Sequence, residues 1–312
     1  MKNYFVKRTV MSVATLIIIS FALFALVRII PGNPFPTDKL NAEQIAMKRQ
    51  ELGLDDPIVV QYVRYMKNVL KGDLGTGTAL YNGAPIKAVL GVCIKNSFIV
   101  GGEAVLLGVF FGILLGILDA LKKGGFFDGL CSFVSIAGIC VPSYVFMIIL
   151  QNVFCFKIEL FPIMFDQMHY FQSTLLPAIS SALFSAATIA RFTREEMKEV
   201  MKSDFVSLAQ SKGVYGMDLM LNHVLRNALV PIITVIGPIV IGLLSGALVT
   251  EKIYGINGIG KLMSDAISGT AVDYNYVLIL GLLYATIYIV IMYLLDILYG
   301  IVDPRIRLKG EE

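Results

Sequence analysis

Seven consecutive residues, Gly255-Ile256-Asn257-Gly258-Ile259-Gly260-Lys261, have the spacing of a phosphate-binding loop, four residues separating the first glycine from a Gly-Lys pair. In such a loop a Ser or Thr hydroxyl follows the lysine and holds magnesium. Leu262 stands there instead, and the run follows an apolar helical stretch rather than a strand, so nucleotide binding is not expected. Other chemistry-bearing side chains are sparse. The two histidines, His169 and His223, are far apart, and Cys93, Cys131, Cys140 and Cys155 show neither paired-ligand nor redox spacing, so no metal site is expected. Carboxylates inside apolar stretches are limited to Glu103, Asp119 and Asp296. A proton or ion relay needs carboxylates or histidines near mid-membrane, and this is a poor set for one. Asp296 is its best member, and a structural pairing with a basic residue suits it better. No residue is expected to be catalytic.

The elements that carry these residues belong in a bilayer. Of 312 residues, 56% are hydrophobic and only 16% charged, with a mean hydropathy of +0.75, too apolar for a soluble globular chain of this length. Six stretches can cross about 30 Å of hydrocarbon as helices: 10–30, 97–121, 130–154, 174–190, 229–250 and 277–302. The fourth, rich in Ala and Ser, is expected to pack inside the bundle. The first follows Lys2, Lys7 and Arg8 as a secretory signal would, but it is too long and PGNPF replaces a cleavage pattern, so it reads as a retained span. A net charge of +3, distributed by topology, gives no support to nucleic-acid binding.

Basic residues set the orientation. They gather at the N-terminus, at Lys122 and Lys123, between Arg191 and Arg226, and at Arg305, Arg307 and Lys309. Those four regions, both termini included, are expected in the cytoplasm. The chain then divides into an N-terminus with first span (1–30), an external helical subdomain (31–96), a five-helix core (97–302) with a cytoplasmic loop at about 191–228, and a tail (303–312). The external segment should form two helices, one from Asn41 to Leu52 and one in which Val59, Tyr62, Val63, Met66 and Leu70 recur at helical spacing. Inside the membrane, Gly108, Gly112 and Gly116, and likewise Gly242 and Gly246, repeat at intervals of four, a spacing that lets helix backbones approach. Pro142 and Gly237-Pro238 are expected to interrupt their spans.

The cytoplasmic loop is the most informative stretch. Ser203 or Asp204 can cap a short helix whose apolar residues are Phe205, Val206, Leu208 and Ala209, and Gly213 can stop it. Phe205, Leu208 and Ala209 suit a groove on a partner, and His223, Arg226, Asn227 and Pro231 lead the chain back to the bilayer.

This loop resembles the EAA coupling loop of ATP-binding-cassette importer permeases, with Ser207, Leu208 and Ala209 in the Glu-Ala-Ala places and Gly213 as its glycine. The run His223-x-x-Arg226-Asn227-Ala228-Leu229-x-Pro231 is similar to the peptide and nickel permease variant. PGNPF at 31–35, LGLDDPIVVQY at 52–62, GDLG at 72–75 and DILYGIVDPRIR at 296–307 resemble further signatures of oligopeptide and dipeptide permeases. Glu251-x-x-Tyr254-x-x-Asn257-Gly258-x-Gly260 resembles Glu-x-x-Phe-x-x-Pro-Gly-x-Gly, with Asn257 in place of the proline.

The resemblance implies an all-α polytopic permease subunit, located in a prokaryotic plasma membrane and most like the first membrane subunit of oligopeptide systems. It further implies a second homologous permease, two cytoplasmic ATPases that bind ATP and Mg, and an external solute-binding protein that delivers peptides. The chain itself would carry no cofactor. A nickel or metal-chelate importer is the alternative substrate reading. An ion-coupled carrier and a membrane scaffold are the rival classes.

Overall fold

The computed structural model describes residues 2–29, 53–121, 142–244, 248–268 and 272–302, with isolated positions between them. The principal elements are the helices α1 (Lys2–Ile29), α2 (Ile58–Leu70), α3 (Ile86–Leu121), α4 (Ser143–Gln151), α5 (Tyr170–Val200), α6 (Asp204–Ser211), α7 (Arg226–Leu244), α8 (Leu248–Ile253), α9 (Ile259–Ser268) and α10 (Tyr274–Val302). Among the described residues five stretches are long and apolar enough to span a bilayer: Val6–Ile29, Ile86–Leu121, Tyr170–Val200, Pro231–Ile253 and Tyr274–Ile297. Of the third expected span, 130–154, α4 and the π-helical turn Asn152–Lys157 that follows it are described. Outside the described residues lie PGNPF, most of the helix expected at 41–52, Lys122, Lys123, Cys131, Cys140, Gly246 and the tail 303–312.

Several boundaries differ from the sequence reading. The second span begins at Ile86, not Ser97, because Ile86, Leu90 and Cys93, one face at helical spacing, are buried in a core that offsets the polar Lys87, Lys95 and Asn96. The fourth runs on to Val200, since Thr193 and Met197 keep its inner face buried beyond Ala190. Pro142 stands at the N-cap of α4, where a missing N–H costs nothing, and the residues just before it lie outside those described. Pro177, Pro231 and Pro238 all sit within helices.

The chain forms two compact units. The first comprises Met1–Asn96 and Asn257–Tyr293. Here α1 and the first part of α10 run antiparallel: the Thr9 and Tyr293 hydroxyls share a hydrogen bond of 3.1 Å, while Gly281 faces Leu23 so closely that a Cβ would lie 2.4 Å from Leu23 Cδ2. Phe24, Ile86, Leu262, Ala266, Tyr276 and Leu280 fill the core. Asp273, fully buried, ties the loop before α3 to the start of α10. Its Oδ2 accepts from the Ala79 and Leu80 amides at 2.8 and 2.9 Å, and its Oδ1 accepts from the Tyr276 amide at 3.2 Å as a helix cap.

The second unit comprises Ser97–Ile256 and Leu294–Glu312, and contains most of α3 together with α4 to α8. Its centre is a ridge contact. A Cβ on Gly108, Gly112 or Gly116 would lie 3.6, 2.9 or 2.6 Å from the carbonyl oxygens of Ala182, Ala186 and Ala190 respectively. Glycine every fourth residue on α3 thus meets alanine every fourth residue on α5, in ascending register, so the two helices run parallel. Gly101, two helical turns before Gly108, makes the corresponding approach to α7, where a Cβ would lie 2.6 Å from the Leu243 carbonyl oxygen. Gly242, by contrast, faces open space.

Candidate functional site

The loop between α5 and α7 is built from the helix α6 outward. Ser203, extended at φ −75° and ψ 151°, is the N-cap residue, but its hydroxyl donates to the Val200 carbonyl at 2.6 Å. Asp204 lies in the first turn, where a carboxylate complements the helix dipole. At the other end the Gly213 amide donates to the Gln210 carbonyl (2.9 Å) and the Val214 amide to the Ala209 carbonyl (3.1 Å). Gly213 has φ 86°. This is a Schellman termination, which needs the left-handed conformation that glycine adopts without steric cost.

The apolar residues of α6 divide between two faces. Val206 and Ala209 are 1% and 7% exposed and join Ala120, Met197, Leu219, Val224, Ala228 and Ile232 in one cluster. Phe205 and Leu208, 44% and 57% exposed, point away from it. The sequence reading placed Ala209 on the same face as Phe205 and Leu208. A helix advances 100° per residue, and in α6 the boundary falls between Leu208 and Ala209. Tyr215 and Met217, just beyond Gly213, extend the exposed apolar surface.

Four other elements meet α6 in the cluster. Ala120 ends α3, Met197 lies near the end of α5, Leu219 and Val224 belong to the π-helical turn Leu219–Leu225, and Ala228 and Ile232 open α7. Beside it, Arg194 Nε stands 3.1 Å from Asp119 Oδ2, joining α5 to α3 with the carboxylate almost wholly buried. The sequence singled out Asp119 without a partner; helical spacing carried no sign of Arg194. His223 and Asn227 lie on the return path, the Asn227 side-chain Nδ2 donating to the His223 carbonyl at 2.6 Å. Arg226 and Asn227 are exposed, and Pro231 lies within α7. α6 is therefore packed directly against the ends of α3, α5 and α7.

A second polar constellation lies at the far end of α7. Glu251, buried, accepts a 2.6 Å bond from the Ser97 hydroxyl. The Tyr254 hydroxyl pairs with Ser180 at 2.9 Å and lies 3.3 Å from the Met147 carbonyl, while Thr250 and Ser181 share a 3.1 Å bond. The acid and the aromatic of the Glu-x-x-Tyr signature thus join this segment to α3, α4 and α5. Asn257, at the place of the expected proline, accepts from Asn96 through its carbonyl (2.9 Å) and from Lys261 through its side chain (3.0 Å). Lys261 is thereby engaged within its own turn, and Leu262 is buried in the core. The phosphate-loop spacing is a helix entry.

His169 Nδ1 lies 2.9 Å from Asp166 Oδ2 in an exposed pair, and this bond, with another from the Met168 amide, holds the Asp166 carboxyl below its usual range. Among the described residues no three His, Cys, Asp or Glu side chains gather as a metal site.

Two family descriptions cover almost the whole chain. Residues 108–308 match the binding-protein-dependent transport system inner membrane component, and residues 1–100 match the N-terminal region of such components. The dipeptide transport system permease protein DppB of Lactococcus lactis subsp. cremoris is 35% identical over 308 residues, 99% of this chain and 100% of that protein. DppB of Bacillus subtilis is 32% identical across 99% of both chains. The oligopeptide permease OppB of Salmonella typhimurium is 31% identical, covering 98% of this chain and 100% of its own. Among solved structures, a chain of the MetNI methionine ABC transporter in inward-facing conformations shares the fold, with a TM-score of 0.56 at 13% identity over 71% of this chain and 99% of that one. The glycine-on-alanine bundle, the loop mounted on three helix ends and the matches along the chain agree: this is a multi-pass membrane protein of the family of inner-membrane components of binding-protein-dependent transport systems.

Proposed function

We propose that the chain is one of two permease subunits of a peptide importer driven by two cytoplasmic ATPases, receiving its cargo from an external solute-binding protein. The observation that carries this reading is the division of α6: Val206 and Ala209 fix the helix to the ends of α3, α5 and α7, while Phe205 and Leu208 remain bare for an ATPase groove. ATP and Mg belong to those partners, and this subunit hydrolyses nothing. ATP-driven closure of the ATPases pushes α6, the cluster passes the push to three helices at once, and the cavity between the permeases alternates its access. The dipeptide and oligopeptide permeases among its relatives favour peptides over nickel chelates as cargo.

Six spans with both termini in the cytoplasm of a prokaryotic cell fit the same reading. The parallel packing of α3 and α5 supports a further crossing between Leu121 and Tyr170, a sixth beside the five long apolar helices. Antiparallel α1 and α10 bring Thr9 beside Tyr293, which supports termini on one side. Reconstitution with the neighbouring permease, ATPases and binding protein tests the function: uptake of a labelled tripeptide should require ATP. Uptake driven by an ion gradient without ATP, or no uptake of any peptide, would sink it. Labelling with an impermeant thiol reagent on intact cells tests the orientation; a cysteine at Thr78 should react and one at Ser211 should not.

A further inference from the structure

α2 carries more apolar surface than its own chain covers. Around its axis Ile58, Tyr62, Tyr65 and Val69 form the face packed on the core of the first unit. The adjoining sector holds Val59, Val63, Met66 and Leu70, also at helical spacing, and Val59, Val63 and Leu70 are 56%, 58% and 82% exposed. Opposite lie Arg64, Lys67 and Asn68, all exposed. A continuous apolar arc of roughly 160° is thus packed on one half and bare on the other, with a charged sector beyond.

The position of the helix identifies what covers the bare half. Tyr62, edge-on, and Tyr65, tilted, both pack on Phe24 of α1, ring centroids 5.7 and 5.5 Å apart, so α2 crosses α1 at that residue. The Tyr62 hydroxyl reaches further along α1, to Ser20 at 2.7 Å. The spanning stretch Val6–Ile29 centres near residue 17–18, and at 1.5 Å per residue Phe24 stands about 10 Å from the bilayer midplane, inside a hydrocarbon half-thickness of about 15 Å. The crossing point lies within the acyl region. Leu26 on α1, 62% exposed, presents the same aliphatic surface near this level. The bare sector of α2 is likewise aliphatic, without the Tyr, Trp or Arg that anchor protein interfaces.

We propose that α2 is an interfacial helix, seated in one leaflet with Val59, Val63, Met66 and Leu70 among the acyl chains and Arg64, Lys67 and Asn68 toward the headgroups and water. Its occupant is lipid. The segment between the first two spans is anchored in the membrane by this helix, and does not stand clear of it as a free cap. The assignment to the outer leaflet rests on the importer reading; the depth does not, because it follows from α1 alone.

The chain has no tryptophan, so a single one is an unambiguous reporter. Val63→Trp and Asn68→Trp, each in the full-length chain, are reconstituted in phosphatidylcholine vesicles with and without bromine in the acyl chains. At least a twofold loss of Val63→Trp emission in brominated lipid is expected, with little quenching by iodide, and the reverse for Asn68→Trp. Iodide quenching of both would place the helix in water and overturn the proposal; bromine quenching of both would overturn its sectors. In the assembled transporter, benzoylphenylalanine at position 63 should crosslink to lipid, and an adduct with a permease or binding protein instead would show that a protein covers the stripe. None of these readouts depends on transport, so the lipid assignment can fail while the importer reading stands, or the converse.

Discussion

Leu208 is the most direct test of how the loop couples to an ATPase. Fully burying a leucine side chain is worth about 1.5–3 kcal/mol. With 57% of Leu208 still exposed in the chain itself, a partner groove can gain about 1–2 kcal/mol from it. Leu208→Ala should then weaken ATPase binding by about 5- to 30-fold with little effect on the subunit's own stability. Val206 supplies the contrast. Only 1% exposed, it belongs to the mount, so Val206→Ala should cost about 1–3 kcal/mol of stability through a cavity among Met197, Val224 and Ile232. The assay is titration of the purified ATPase onto the permease pair in nanodiscs, alongside thermal unfolding of each variant. Should Leu208→Ala bind within twofold of the parent, the bare face of α6 does not carry the coupling contact. Ala209→Glu would not decide the matter, because its charge would strike the chain's own cluster before any partner.

Gly116→Val should destabilise the subunit by about 1–3 kcal/mol or more through overpacking, since even a Cβ at that place lies 2.5 Å from Thr193 Cβ; Gly242→Ala, facing open space, should be near neutral when both are compared by thermal unfolding in detergent. Asp119→Ala should cost about 3–5 kcal/mol by leaving Arg194 without its carboxylate, and the double change with Arg194→Met should recover part of that loss in the same measurement. Gly213→Val meets no neighbouring atom but must adopt φ 86°, at about 1–2 kcal/mol or more; peptide uptake should fall while the ATPase still co-purifies, and unchanged uptake would remove Gly213 as the residue that sets the exit angle.

The sequence by itself determined the class of the protein and the approximate places of five spans, because lipid imposes a strong one-dimensional rule of about twenty apolar residues per crossing. It also located the short helix α6 and its stop at Gly213, since both depend on local backbone chemistry. What it left undecided needed contacts between residues distant in the chain. Ala209 reads like Leu208 until Val224 of the π-helical turn and Ile232 of α7 arrive to bury one and not the other. Asp119 reads as an isolated acid until parallel packing of α3 on α5 brings Arg194 beside it, and Asp273 looks like an ordinary loop residue until the amides of Ala79 and Leu80 converge on it. The start of α3 was misplaced for the same reason, its polar side being visible in the sequence and its buried side decided only by the core it meets. Periodicity shows that a helix has an apolar face; tertiary structure decides how much of that face the chain covers itself and how much it leaves for lipid or a partner.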